Sequence, residues 1–240
     1  MAVKEFEGQD LSQADFWGVN LRDSRFRDVD LSGARISHAR LIDVNIDAEI
    51  DRLVVNGVDV TAFVNESDEW FPLRSMLRPT DEAGIRATWQ HLVDQWTAAV
   101  DRALRLGETR LDESVNGEWS FAETLRHLVF ATDKWLFAPL TGAPGFSPIG
   151  LPNKGSAEFP WPGIDSSTSP SASDVVAAFR ERLERIGDFF GHLTISRLPR
   201  EVEVLENGWV DSIECVHVVF EESFHHLRYA LRDLAVLEAR

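Results

Sequence analysis

The 240-residue sequence predicts a two-part α+β chain, a short coil of five-residue repeats followed by a four-helix bundle. Three observations predict it. A large apolar residue recurs at every fifth position from Phe6 to Ile46. After residue 80, apolar residues recur at helical spacing in four separate stretches. Between the second and third of these, residues 139–171 hold seven prolines and five glycines, a composition that suits only an irregular crossover.

The repeat runs through Phe6, Leu11, Phe16, Leu21, Phe26, Leu31, Ile36, Leu41 and Ile46. Two residues before most of these sits a smaller one: Ala14, Val19, Ser24, Val29, Ala34, Ala39 and Val44. Asp or Asn often lies between them, as at Asp10, Asp15, Asn20, Asp30 and Asn45. A period of five fits neither a helix nor a flat strand. It fits a coil with four corners, in which every fifth side chain points to one axis. The pattern over residues 4–48 resembles the pentapeptide-repeat family, and the resemblance implies a short right-handed quadrilateral β-solenoid. Nine repeats make roughly two coils, few enough that an open end needs a cover. Residues 50–64 are expected to supply it as a hairpin, because β-branched runs flank Asn56-Gly57. The expected organisation is therefore a repeat domain at 1–64, a linker at 65–79 and a bundle at 80–240.

In the bundle, Thr80 is expected to cap a helix carrying Ile85, Trp89, Leu92, Val93, Trp96, Val100 and Leu104, ended by Gly107. Ser120 and Glu123 form a capping-box pattern that opens a second helix reaching Trp135. The third starts near Ser171 and carries Val175, Phe179, Leu183, Ile186 and Phe190. The fourth starts near Asp211 or Ser212 and runs through Val216, Phe220, Phe224, Leu227, Leu231 and Leu234. Amphipathic helices with one long connection are the pattern of a four-helix bundle.

Composition removes several function classes. No run approaches the ~18 apolar residues of a membrane span. The opening residues MAVKEFEGQD lack the apolar core of a signal peptide, so a cytoplasmic protein without membrane contact is expected. The lone Cys215 forbids an internal disulfide or a CxxC metal motif. A net charge of −16 leaves no counterion-release term for nucleic-acid binding. Residues 1–60 alone carry 12 acidic and 7 basic residues, yet Arg22, Arg25, Arg27, Arg35 and Arg40 break up any acidic, DNA-like face.

Chemistry concentrates on the fourth helix, in EESFHH at residues 221–226. Glu and His at i, i+4 share a helical face, so Glu221/His225 and Glu222/His226 can each grip one metal ion. A third ligand has to come from another helix, and His127 of the second is the best placed. The plainer reading is a charged helix with local ion pairing. The helical wheel puts His226 nearer the core than His225, which favours the second pair. His38, His91 and His192 read as surface or packing residues.

Residues 80–240 resemble the DinB-like superfamily of four-helix metalloproteins. The resemblance rests on NGEWSFAETLRHLVFATDKW (116–135), GLPNK (150–154) and ECVHVVFEESFHHLRYALRDLAVLEAR (214–240). Pentapeptide repeats ahead of such a domain resemble an actinobacterial arrangement. The resemblance implies a metal triad of His127, Glu222 and His226. It also implies a divalent cofactor, zinc foremost with nickel, iron or manganese open, and a low-molecular-weight thiol such as mycothiol or bacillithiol. The activity implied is S-transfer or thiol-assisted isomerisation of a small-molecule substrate. Tyr229, three residues beyond His226, is a candidate donor behind the ligands. Cys215, in an apolar run, reads as a buried small hydrophobe rather than a nucleophile. The competing expectation is a non-catalytic interaction protein or scaffold, a DNA mimic included, with a degenerate metal site. In either case the repeats are expected to shield a flank of the bundle or to mediate a homodimer.

Overall fold

The structure is a computed structural model that describes residues 4–6, 8–26, 29–143, 145–165 and 167–240. Arg27 of the repeats and Pro144 of the crossover lie outside the described residues. The chain separates into two units, Met1–Ala48 and Glu49–Arg240.

In the first unit the period of five is written into the backbone. Gly8, Gln13, Gly18, Asp23, Gly33, His38 and Asp43 all have positive φ, between +54° and +75°. Hydrogen bonds from Ala14, Ser24 and Ala34 N–H to the carbonyls of Leu11, Leu21 and Leu31 close turns at alternate repeats. The left-handed residue stands third in each turn, as in type II turns. Asp10, Asn20 and Asp30 side chains accept the N–H two residues on and stiffen the entry to each turn. The expected β-solenoid is not established, however. No strand occurs among the described residues of this unit, and the large repeat residues remain 45–69% exposed. Turn geometry is local and follows from each pentapeptide, whereas a solenoid core needs one coil to hydrogen-bond and stack on the next.

The second unit opens with the hairpin β1 (Val54–Val55) and β2 (Val58–Asp59), turning at Asn56 and Gly57, both with positive φ. The expected linker holds the end of helix α1 (Thr61–Ser67) and all of α2 (Phe71–Arg74). Its apolar residues explain why: Leu77 is buried, and Trp70 and Leu73 pack on the main core.

Four long helices form the bundle: α3 (Glu82–Arg105), α4 (Phe121–Thr132), α5 (Ala172–His192) and α6 (Ser212–Glu238). Each packs on two others, giving the cyclic order α3, α5, α4, α6, so α4 and α6 are neighbours. Asp81, not Thr80, caps α3, its carboxylate accepting Gly84 N–H at 2.6 Å. The α4 capping box forms in full: Glu123 N–H donates to Ser120 Oγ, and Ser120 N–H to Glu123 Oε2. Beyond Thr132 the helix widens into a π-helix, Asp133–Thr141, that contains Pro139. A proline cannot supply the i→i−4 N–H, so the regular ladder does not pass through it.

The sequence reading missed a second hairpin, β3 (Glu201–Val204) with β4 (Gly208–Asp211). Val202 and Val204 point inward onto Cys215, while Glu201 and Glu203 point out. The EVEV alternation and the Asn207-Gly208 turn carried the signal.

Candidate metal centre

His127 stands on the inner side of α4, its side chain 4% exposed. Across from it on α6 are Glu222 and His226, one helical turn apart, at 29% and 17%. Trp96 Nε1 donates to the Ser223 carbonyl at 3.1 Å and ties α6 to α3 beside Glu222.

The three side chains converge. Glu222 Oε2 lies 3.2 Å from His127 Nε2 and 3.2 Å from His226 Nε2. The imidazole centroids are 4.8 Å apart, and one ligand atom from each residue lies within 4.8 Å of the others. Two ligands each about 2.1 Å from a tetrahedral cation stand about 3.4 Å apart, so both His–Glu spacings already match.

His127 Nδ1 lies 3.0 Å from the Leu151 carbonyl oxygen in the crossover. A carbonyl only accepts, so Nδ1 carries the proton in this bond. Nε2 then points its lone pair at the centre, the state of a metal-ligating histidine. Between that lone pair and a carboxylate oxygen at 3.2 Å something positive has to sit, either a proton or a metal cation. The donor set fits a divalent ion with nitrogen and oxygen preferences, and three protein ligands leave at least one position open.

Burial disfavours an ionised Glu222, but hydrogen bonds from His127 and His226, with the charge they carry when protonated, outweigh it. The carboxyl is held well below the usual glutamate range, so an anionic ligand is present at neutral pH.

The neighbouring pair is committed elsewhere. Glu221 binds Arg78, which also binds Glu214, and His225 is exposed with its ring against Phe224. Among the described residues no other cluster of three His, Cys, Asp or Glu donors converges in this way. His217 is buried and bonds the Pro79 carbonyl through Nε2, away from the triad. Tyr229 packs edge-on to His226 at 6.2 Å and is itself exposed. No hydrogen bond joins its hydroxyl to the triad among the described residues, so its expected donor role has no contact behind it. Cys215 is fully buried, and desolvation pushes its thiol up to about 11, which removes it as a nucleophile near neutral pH.

Two neighbours escaped the sequence reading. Trp119 lies 4.7 Å from the His127 ring and stacks on His226 at 5.9 Å, walling one side of the centre. Leu151 contributes only its carbonyl. Nothing in residue type advertises a backbone acceptor, although Trp119 falls within the NGEWS stretch just before the α4 cap.

Comparison with known families gives two matches. The DinB superfamily profile matches residues 91–230, more than half the chain, and eight copies of the pentapeptide repeat match residues 10–46. The chain belongs to the DinB superfamily and carries an N-terminal pentapeptide-repeat segment. Neither the curated proteins nor the solved structures produced a match. No helix among the described residues is long and apolar enough to cross a membrane.

Proposed function

We propose that the protein is a divalent-metal-dependent enzyme acting with a low-molecular-weight thiol, as an S-transferase or a thiol-assisted isomerase of a small electrophile. One observation carries the reading: His127, Glu222 and His226 present two imidazoles and one carboxylate at ligand spacing around a single point. A bound cation would supply Lewis acidity and favour the thiolate form of a thiol at its open position. The protein's own residues hold that position. His127 is oriented by Leu151, Glu222 brings the negative charge, and Trp119 keeps one flank apolar. Zinc suits the mixed set best, with nickel, iron and manganese as competitors.

Equilibrium dialysis of the full chain against zinc tests the reading. The expected result is one ion per chain. Glu222→Gln and His226→Ala should each weaken binding by more than about tenfold, since even groups behind the ligands are worth 10–100-fold. Glu221→Gln and His225→Ala should leave it unchanged. Binding that survives loss of either ligand overturns the site. A screen of thiol–electrophile pairs with the loaded protein then tests the chemistry, and turnover independent of metal overturns it.

A second reading, a non-catalytic interaction protein, draws support from the exposure of the repeat residues, an apolar row available to a second copy of the chain. Sedimentation at rising concentration tests it, and a monomer throughout removes the homodimer.

A further inference from the structure

The ligand face of His127 depends on the Leu151 carbonyl, and that carbonyl sits in the crossover, residues 142–171, rich in proline and glycine. Apart from one short helical turn at Lys154–Ser156, no helix or strand among the described residues of this segment fixes its peptide groups. Something outside it has to.

Arg126, the residue before His127, makes three connections to the crossover. Its Nε donates to the Ile149 carbonyl at 2.8 Å, and its Nη2 reaches the Thr168 carbonyl at 3.4 Å. Its own backbone carbonyl accepts Leu151 N–H at 3.2 Å. The peptide groups on both sides of Gly150 are thus tied to one residue of α4, and the next residue along receives the Leu151 carbonyl. Gly150 itself is pressed against the helix: a Cβ there would stand 3.3 Å from Phe130 Cβ and 2.9 Å from Ile164 Cδ1. A side chain at this position would also meet the Ser147 carbonyl oxygen at 3.1 Å, so its absence eases the close approach. A guanidinium offers several donors in a rigid plane, which suits it to hold two carbonyls of a loop at once.

We infer that Arg126 is the positioning residue of the metal centre, holding residues 149–151 against α4 so that the Leu151 carbonyl accepts a hydrogen bond from His127 Nδ1–H and leaves Nε2 as the ligand atom. The inference rests on the proposed metal reading of the triad. Arg126 touches neither ligand nor substrate and acts through Leu151. Adjacent residues on one helix thereby divide the work, Arg126 fixing the loop and His127 using it.

The test uses the full chain, zinc and the variants Arg126→Met and Arg126→Lys. Zinc affinity is read by dialysis, and folding by thermal unfolding. The nitrogen through which His127 binds is read by ¹⁵N-resolved imidazole spectra. Wild type should bind through Nε2 with a protonated, hydrogen-bonded Nδ1. A folded Arg126→Met should bind about 10–100-fold more weakly, the usual cost of losing a partner behind a ligand. Its His127 ring should lose the single Nε2 binding mode. Arg126→Lys, which keeps one donor for Ile149, should fall between, and it decides the matter by the same criteria if Arg126→Met does not fold. Coordination of wild type through Nδ1, or affinity of the folded variants within twofold of wild type, overturns the inference and leaves the metal site standing. Absence of zinc binding by wild type overturns the metal reading and this inference with it.

Discussion

Residues 1–48 and 49–240 solve the same problem, placing large apolar side chains, in opposite ways. Leu31 of the repeats and Leu92 of α3 are the same residue type at equally regular spacings. Leu31 is more than half exposed and Leu92 fully buried. In the repeat unit, order is local: each turn is closed by its own Asx side chain and left-handed residue. In the helical unit, order is long-range, with α3, α4, α5 and α6 sharing one core through Trp96, Leu125, Phe190 and Phe220. Only the second kind of order brings residues 95 positions apart, His127 and Glu222, to 3.2 Å. A regular repeat makes a surface, and a packed core makes a site.

The largest effect that would test this contrast is a matched truncation. Leu92→Ala should cost about 2–5 kcal/mol through lost burial and the cavity left behind. Leu31→Ala should stay within about 0.5 kcal/mol. Urea unfolding of the full chain, followed by tryptophan fluorescence and far-UV circular dichroism, measures both. A cost above ~2 kcal/mol for Leu31→Ala would show that the repeat residues are buried in solution and restore the solenoid.

Capping gives a smaller version of the same comparison. Ser120→Ala removes the side-chain half of the α4 cap, the bond that Ser120 Oγ accepts from Glu123 N–H, and should cost about 1 kcal/mol. Asp30→Ala removes an exposed turn bond and should fall within about 0.5 kcal/mol. Equal costs in the same urea series would remove the distinction between the two units.

Acid titration sharpens it further. Asp10 and Asp30 are held below the usual aspartate range by hydrogen bonds from the Ser12 and Ser32 side chains and then backbones, in full contact with solvent. Glu222 is held low by two histidines in a desolvated setting. A folded-state value below the unfolded one stabilises the fold above the unfolded value, near 4.5 for a glutamate. That contribution fades as pH falls through the lower folded value. The helical unit should therefore lose stability below about pH 4.5, and Glu222→Gln should flatten that slope in metal-free protein. An unchanged slope would mean that the histidine contacts do not persist in solution. The smallest expected change concerns Cys215: with its thiol pushed up to about 11 and fully buried, iodoacetamide at pH 8 should label it only once urea unfolds the helical unit.

Much of this architecture was legible in the residues themselves, because local physics writes periods. The five-residue recurrence became a left-handed residue at every fifth described position from Gly8 to Asp43, and Ser120-x-x-Glu123 became a capping box. The i, i+4 spacing of Glu222 and His226 put both on one face of α6, and the wheel preferred them to Glu221 and His225 because His226 lies nearer the core. What the sequence could not determine is whatever depends on partners far away in the chain. Whether repeat coils stack is a contact between coils, and no single pentapeptide encodes it. The expected linker turned helical because Trp70, Leu73 and Leu77 found the bundle core. Glu221 was removed from the site by Arg78, 143 residues away. The proton on His127 is set by a backbone carbonyl, a group every residue carries and no side chain announces. Composition and spacing thus determined which elements form and which residues could serve as ligands. Tertiary packing alone decided which of them meet, because a metal-binding geometry needs donors from separate helices at ångström separations.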